Sequence, residues 1–324
     1  MKLKSSCIIL LSINSLSASA EVTLDGTLGR NGALPGPDYL IGADLGRQHG
    51  GNLFHSFQGF NLNPSESATF SGPNSVSNII SRVTGGNSSQ IDGLIRSTIP
   101  NADMYFLNPY GIMFGENAKL DVQGSFHAST ADYLRLGDGG RFDARNPNES
   151  LLTIAPIEAF GFLTDTPAPI TTQNSDLSVF DGNSLSLIGG DLHLNGNSAV
   201  MFDEKRLMAV FARSKLSASA GRINLASVAS IGEVIPSEFG LDLNAEGGTI
   251  TANNILMDVS GRGSGGVFIR GEQFFMNEAV IQANTMADQN GKGIDMKVTD
   301  SIDIHIASLP IGKVAISNDA SFVQ

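Results

Sequence analysis

Cysteine is nearly absent from this chain: one residue, Cys7, in 324. With no second thiol there can be no intrachain disulfide, no CxxC redox pair and no cysteine cage for a metal, so the fold must rest on packing and backbone hydrogen bonds. Tryptophan is absent and all aromatics together make up 7 % of the chain, which leaves aliphatic side chains to fill a thin core. Cations are scarce as well, 20 Lys and Arg against 32 Asp and Glu. No basic cluster exists to displace the counterions of a phosphate backbone, which argues against nucleic acid as a partner. Beyond residue 20 no apolar run approaches the roughly 18 residues that a membrane-spanning helix needs.

The first twenty residues differ from the rest. Lys2 and Lys4 precede an apolar stretch centred on Cys7 to Leu11, and Ala18-Ser19-Ala20 stands ahead of Glu21. This pattern reads as a secretory signal peptide over 1–20 with an A-x-A cleavage site, its apolar core being too short and too interrupted to span a bilayer. Cleavage removes two Lys and no acids, leaving 18 basic against 32 acidic residues, and removes the cysteine. No lipobox surrounds Cys7.

What the chain has in abundance is glycine, 37 residues, and short strand-sized runs. Between Asn52 and Gly124 β-branched and aromatic runs alternate with turn chemistry at Gly85-Gly86-Asn87, Asn108-Pro109-Tyr110-Gly111 and Gly115-Glu116-Asn117. Three blocks occur in order here: Arg82-Val83-Thr84-Gly85-Gly86, Ser89-Gln90-Ile91-Asp92-Gly93 and Phe106-Leu107-Asn108-Pro109-Tyr110-Gly111-Ile112. The stretch from about residue 23 to 165 resembles the N-terminal domain of two-partner-secretion exoproteins (TpsA), the filamentous haemagglutinin family. Tyr110 stands where the family's Asn-Pro-Asn-Gly-Ile element has its second Asn, and Asn61-Leu62-Asn63-Pro64 is a loose echo of a second element. The resemblance implies a β-helix, and recognition by an outer-membrane β-barrel of the TpsB type after delivery to the periplasm by the Sec machinery. It also implies folding at the cell surface or in the medium, and an adhesin or haemagglutinin role. The residues it marks for partner recognition are Val83, Thr84, Gly85, Gly86, Asn108, Pro109, Gly111 and Ile112.

Further along, Gly190, Gly221, Gly248, Gly266 and Gly293 each precede a short strand-like run, at the irregular intervals expected of coils that carry loop insertions. Units of this kind cannot bury an apolar row alone but can when stacked. The expected fold is all-β, a right-handed single-stranded parallel β-helix with N-terminal capping strands. At roughly 20 to 25 residues per rung it would make about a dozen rungs and a rod roughly 60 Å long. The competing architecture is a sandwich, with hairpins at Asp25-Gly26, Asp92-Gly93, Asp138-Gly139 and Asp181-Gly182. Composition is loop-like at 138–148 and 164–169, and the second of these reads as a boundary; with the leader pattern and the resemblance this gives a signal peptide (1–20), a secretion domain (21–165) and a continuing β-helix passenger (166–324) that stops in mid-pattern. Phe202 to Phe211, the most charge-dense stretch, reads by propensity as a short helix or else as a loop or strand outside the solenoid.

Catalytic chemistry is hard to find. Asp203 and Glu204 are adjacent and would point to opposite faces of a strand. Histidines 49, 55, 127, 193 and 305 are scattered without ligand spacing and read as surface or turn residues. Gly261 to Gly266 satisfies G-x-G-x-x-G, but the run after it is strand-like, so it reads as a corner and not as a dinucleotide loop. No catalytic residue, metal ligand or cofactor is expected. The alternative function is a β-helix polysaccharide lyase or hydrolase, with Asp242, Asp258, Asp300 and Asp303 as its candidate carboxylates.

Overall fold

The computed structural model describes residues 21–203, 206–212, 214–237, 240–305 and 316–317; the expected signal peptide lies outside them. Among the described residues there is no α-helix, and two short 3-10 turns interrupt an otherwise strand-and-turn chain. The strands wind into a parallel β-helix with three sheets. The first sheet stacks Asn52–Phe60, Asn78–Val83, Asp103–Leu107, Phe126–Ser129, Ser184–Gly189, Arg222–Ser227 and the leading halves of Gly266–Asn277 and Gly293–His305. The second runs from Ser89–Ile91 through Ile112–Phe114, Ile170–Gln173, Leu192–Asn195 and Thr249–Asn253 to the trailing halves of the same two long strands. The third is in two pieces, Asp38–Gly42 to Lys119–Asp121 and Asp176–Val179 to Ile316–Ser317.

Alternation explains the core. Leu53, Ile79, Met104, Phe126, Leu185, Ile223 and Val267 stand in one inward row on consecutive strands of the first sheet and are all fully buried. Inward side chains of the other two sheets meet them in one apolar column up the axis. It is not the purely aliphatic core expected: Phe57, Phe60, Phe70, Phe106, Phe114, Phe126 and Phe274 are part of it, since the few aromatics the chain has lie largely inside. Capping strands are present at the N-terminal end. Val22–Asp25 pairs antiparallel with Asn31–Ala33 on one side and with the first rung on the other, so the lowest rung has no open edge there.

Among the described residues the stack has eight rungs on its first sheet, where about a dozen are expected. Insertions account for the shortfall. The inward row advances by roughly 25 residues per rung from Leu53 through Ile79 and Met104 to Phe126, as a bare coil of three short strands should. The steps from Phe126 to Leu185, Ile223 and Val267 are much longer, and only the last, to Ile294, is short again. The glycine spacing misled for a related reason: Gly221, Gly266 and Gly293 lead into the first sheet while Gly190 and Gly248 lead into the second, so their intervals are not rung periods.

Two of the insertions leave from the corner after the first sheet and pair with each other. Arg141–Asp143, Tyr133–Leu136, Ile157–Phe162, Gly232–Ser237 and Gly240–Asn244 form an antiparallel five-stranded sheet in that order. It closes over the outer face of the first sheet and creates a second core, in which Phe142, Phe160 and Val234 meet Phe54, Ile80 and Leu107. Rung five must pass between the stems of the first insertion. There a Cβ on Gly190 would run into the Pro167 and Ala168 carbonyl oxygens, so only glycine fits. Asp25-Gly26 and Asp138-Gly139 do close antiparallel hairpins, in the cap and in this insertion, as their turn chemistry allows.

Two local expectations are settled by pairing and burial. Of the alternatives for Phe202 to Phe211, the helix gives way to strand: the stretch belongs to a hairpin, Ser198–Asp203 against Arg206–Ala212. Apolar residues on both sides of a charged centre favour two paired strands over one amphipathic helix. His55 and His127 are not surface residues, which corrects the expectation for both. His55 is buried against Phe57 and Phe70 inside the β-helix, and His127 stacks on Tyr105 beneath the antiparallel sheet. A single His in an apolar strand carries no sign of which face it takes.

Candidate functional site

Asn108 leaves the first sheet at Leu107, and its neighbours dictate a tight corner. The Asn108 side-chain oxygen accepts from the Tyr110 N–H at 2.9 Å, and its carbonyl accepts from the Gly111 N–H at 3.1 Å, closing a turn around Pro109. Gly111 has φ of +115°, a left-handed value that other residues resist, and the Ser88 Cβ and the Pro169 carbonyl oxygen crowd the space where a side chain would go. The Asn108 amide donates to the Asn87 carbonyl and to Ser89 Oγ, both at 3.0 Å, so the turn is tied to the rung below it. Gly111 in turn accepts from the Ser89 N–H, and Ile112 opens the second-sheet strand between Ser89 and Ile170. Asn108 is fully buried, and each polar atom of its side chain is hydrogen-bonded.

The block from Val83 to Gly86 makes the corresponding corner one rung lower. Val83 is buried and pairs with Phe57. Thr84 donates its hydroxyl to Asp25 Oδ2 at 2.9 Å and its N–H to the Phe57 carbonyl at 2.8 Å. Gly85 lies so close to the Gln58 carbonyl that no Cβ fits, and Gly86 has φ of +85° over open space. The eight marked residues therefore fall in two stacked corners, linked through Asn87 and Ser89. Tyr110, half-buried, lies under the Arg145 guanidinium at 5.3 Å, and Arg145 itself pairs with the buried Asp132. An aromatic at this position thus supports the first insertion.

Arg82 opens the first motif block, and the sequence alone assigns it no role. It is 1 % exposed, the largest of the fully buried side chains. Its Nε donates to Ser56 Oγ at 2.7 Å, Nη2 to Thr27 Oγ1 at 2.9 Å, and Nη1 to the Asp143 carbonyl at 2.5 Å and Ser150 Oγ at 2.6 Å, with the Phe142 ring 4.3 Å from its carbon. Burial lowers its pKa to about 10 while the charges of Asp25 and Asp143 act the other way, so it stays a cation at neutral pH. The signal was available: a lone cation in the run Asn78 to Val83, whose other residues suit a buried strand, must find partners.

The four candidate carboxylates do not converge. Asp242 is on the edge strand of the antiparallel sheet, Asp258 on the third sheet, and Asp300 and Asp303 on the last long strand, where they bond Gln273 and His305. The G-x-G-x-x-G run forms the corner before the strand that starts at Gly266.

A family model described as the TPS secretion domain matches residues 20–266. The chain belongs to the TPS secretion domain family. The match extends well past position 165. A curated relative, the heme/hemopexin-binding protein of Haemophilus influenzae, is 35 % identical over 81 residues, which is 25 % of this chain and 8 % of the relative. The chain thus spans a small part of that relative's length. Among solved structures, the HMW1 secretion domain of Haemophilus influenzae is similar over 89 % of this chain and 82 % of its own, with 16 % identity and a TM-score of 0.33. As a TPS exoprotein the chain is of the two-partner-secreted class, whose members cross the outer membrane.

Proposed function

We propose that the Sec machinery delivers the chain to the periplasm through residues 1–20, that a TpsB-type outer-membrane β-barrel engages it there before it folds, and that outside the cell it acts as an adhesin-like binding protein and not as an enzyme. One observation carries the order of events. Asn108 and Val83 are buried, the Asn108 side chain is fully bonded, and Gly85 is packed against a backbone carbonyl. A partner that reads these residues must read them in an unfolded chain, and once the chain is across, the same residues fix two stacked corners of the early rungs. A disulfide-free chain remains threadable, and rungs can add one at a time to an existing end.

The binding role is supported by where the candidate acids lie: Asp242 and Asp258 are on separate sheets, and Asp300 and Asp303, three residues apart on one strand, take opposite faces by alternation, whereas glycoside hydrolysis needs two carboxylates facing one bond within about 10 Å. Because the curated relative is a heme/hemopexin-binding protein, hemopexin is the first ligand to test.

Export is tested in a producing strain that lacks the barrel. The protein should then accumulate in the periplasm, and its appearance in the culture supernatant would overturn the reading. Asn108→Ala and Gly111→Val should lower secreted yield more than Asn253→Ala and Gly240→Val, which lie on later strands without left-handed backbone. Equal yields from all four would remove any special role for the motif.

A further inference from the structure

Three segments that are far apart in sequence converge on one guanidinium. Thr27 belongs to the N-terminal cap, Ser56 to the first rung, and Asp143 and Ser150 to the first insertion, 55, 26, 61 and 68 residues away from Arg82. Arg82 projects from the outer face of the first sheet, so until the insertion arrives its head is in water. The Asp25 carboxylate does not touch Arg82, but it accepts from Ser56 Oγ at 2.6 Å and from Thr27 Oγ1 at 2.9 Å, the two hydroxyls that also take Arg82 donors. The charge is therefore balanced by the cap through two hydroxyl bridges, and it is buried only when Phe142, Asp143 and Ser150 close over it. A buried cation missing any of these partners is costly, which makes the bonds mutually dependent.

We propose that Arg82 is a latch: the insertion closing over it locks the N-terminal cap and the first rungs in one step, so that the cap is held from a site far along the chain. The inference rests on the secretion reading only for its biological use, since a latch that closes when residues 131–167 have emerged would hold the early rungs on the outer side. Its physical content is a thermodynamic coupling between cap and insertion through one side chain.

The test is native-state hydrogen exchange on the purified full-length protein, which does not depend on the export reading. Ser150→Ala removes bonds on the insertion side only, those its hydroxyl accepts from Arg82 and from the Asp143 N–H, and the latch requires exchange to quicken about tenfold in the cap strand Val22–Asp25 as well as around residue 150. Thr27→Val removes only bonds on the side of the cap and first rung, to Arg82, Asp25 and Ser56, and should quicken exchange in Arg141–Asp143 to a similar extent. Arg82→Lys keeps the charge and loses the planar fork, so it should quicken both segments. Arg96→Met, which breaks an exposed pair with Asp121 on the third sheet, should quicken neither. Exchange that changes only beside each substituted residue would overturn the latch, as would native exchange in Arg82→Lys. A double variant Thr27→Val/Ser150→Ala whose effects simply add would also overturn it. If Arg82→Lys does not fold, the two hydroxyl variants alone decide.

Discussion

The first three rungs and the three that follow them solve the same packing problem with different amounts of chain. From Leu53 to Phe126 a rung takes roughly 25 residues, little more than three short strands and their corners. From Phe126 to Val267 a rung takes roughly 40 to 60 residues, the surplus lying in insertions of the kind that solenoids tolerate on one face. Two of these insertions build the sheet that closes the second core. The inward row is equally well buried in both regions. Axial packing therefore does not depend on rung length, whereas the outer face of the first sheet depends on the insertions for its cover. The first region is a solenoid stabilised by nearest neighbours, and the second adds contacts between segments far apart in sequence.

The largest effects should come from the two cores. Phe106 packs edge-on against Phe60 at 4.9 Å within the column, and Phe160 lies over Tyr105 and His127 in the second core. Replacing either by Ala should cost about 3–5 kcal/mol, but the manner of unfolding should differ. Phe106→Ala should lower the single urea midpoint of the whole stack, and Phe160→Ala should give an early transition in which residues 131–167 become protease-sensitive and the cap strand Val22–Asp25 loosens with them while the axial column persists. One shared transition in both variants would show that the two cores are a single cooperative unit and would break the comparison.

A smaller and pH-dependent effect separates the regions through their buried histidines. Burial holds His55 and His127 well below the ordinary 6.5, each at about 4. His55 Nε2 bonds the Gly42 carbonyl near Asp44, and His127 Nδ1 bonds Ser186 Oγ near Asp103, partners too weak to offset desolvation. The unfolded chain takes up protons below pH 6.5 and the folded chain only below about 4. The stability each imidazole contributes is therefore complete above 6.5, falls through that window, and is lost in full below it, by on the order of 3 kcal/mol for each group. Urea midpoints measured from about pH 7.5 to 4 should decline over that range. His127→Gln should flatten the decline seen by exchange in the antiparallel sheet and leave that in Asp38–Gly42 unchanged. Midpoints independent of pH would mean that neither imidazole stays neutral in the folded state.

How much of this was legible in the sequence follows the same division. Corners made by Asn108, Gly111 and the Gly85-Gly86 pair could be read, because a turn is decided by a few adjacent residues. The apolar column could be read from alternation, but not its phenylalanines, which a low aromatic content does not announce. The antiparallel sheet could not, since Phe160 pairs with Val234 and nothing local announces a partner in a different insertion. Arg82 shows the same limit: its run hinted at a buried cation, but Thr27 and Ser150 are partners only in space. At Ser198–Asp203 and Arg206–Ala212 the residues themselves divide, because Arg, Leu, Met and Ala favour helix one residue at a time while pairing rewards the two strands together.

The smallest effects should be at the acids of the later rungs. Asp242, Asp300 and Asp303 are exposed and Asp258 is half-buried; Asp300 accepts from the Gln273 amide at the surface, and Asp258 accepts from the N–H of the buried Ser260, a local bond that Asn can also accept. If these rungs serve as scaffold and binding surface, Asp→Asn at any one of the four should change stability by less than about 0.5 kcal/mol. A catalytic acid or base would behave differently, since its loss typically lowers a rate by about 10² to 10⁴. Purified secreted protein incubated with acidic and neutral polysaccharides, with and without calcium, should release no shortened chains. Depolymerisation that disappears in one of the four Asp→Asn variants would place chemistry on the interrupted half of the solenoid and assign the protein to the carbohydrate-active enzymes.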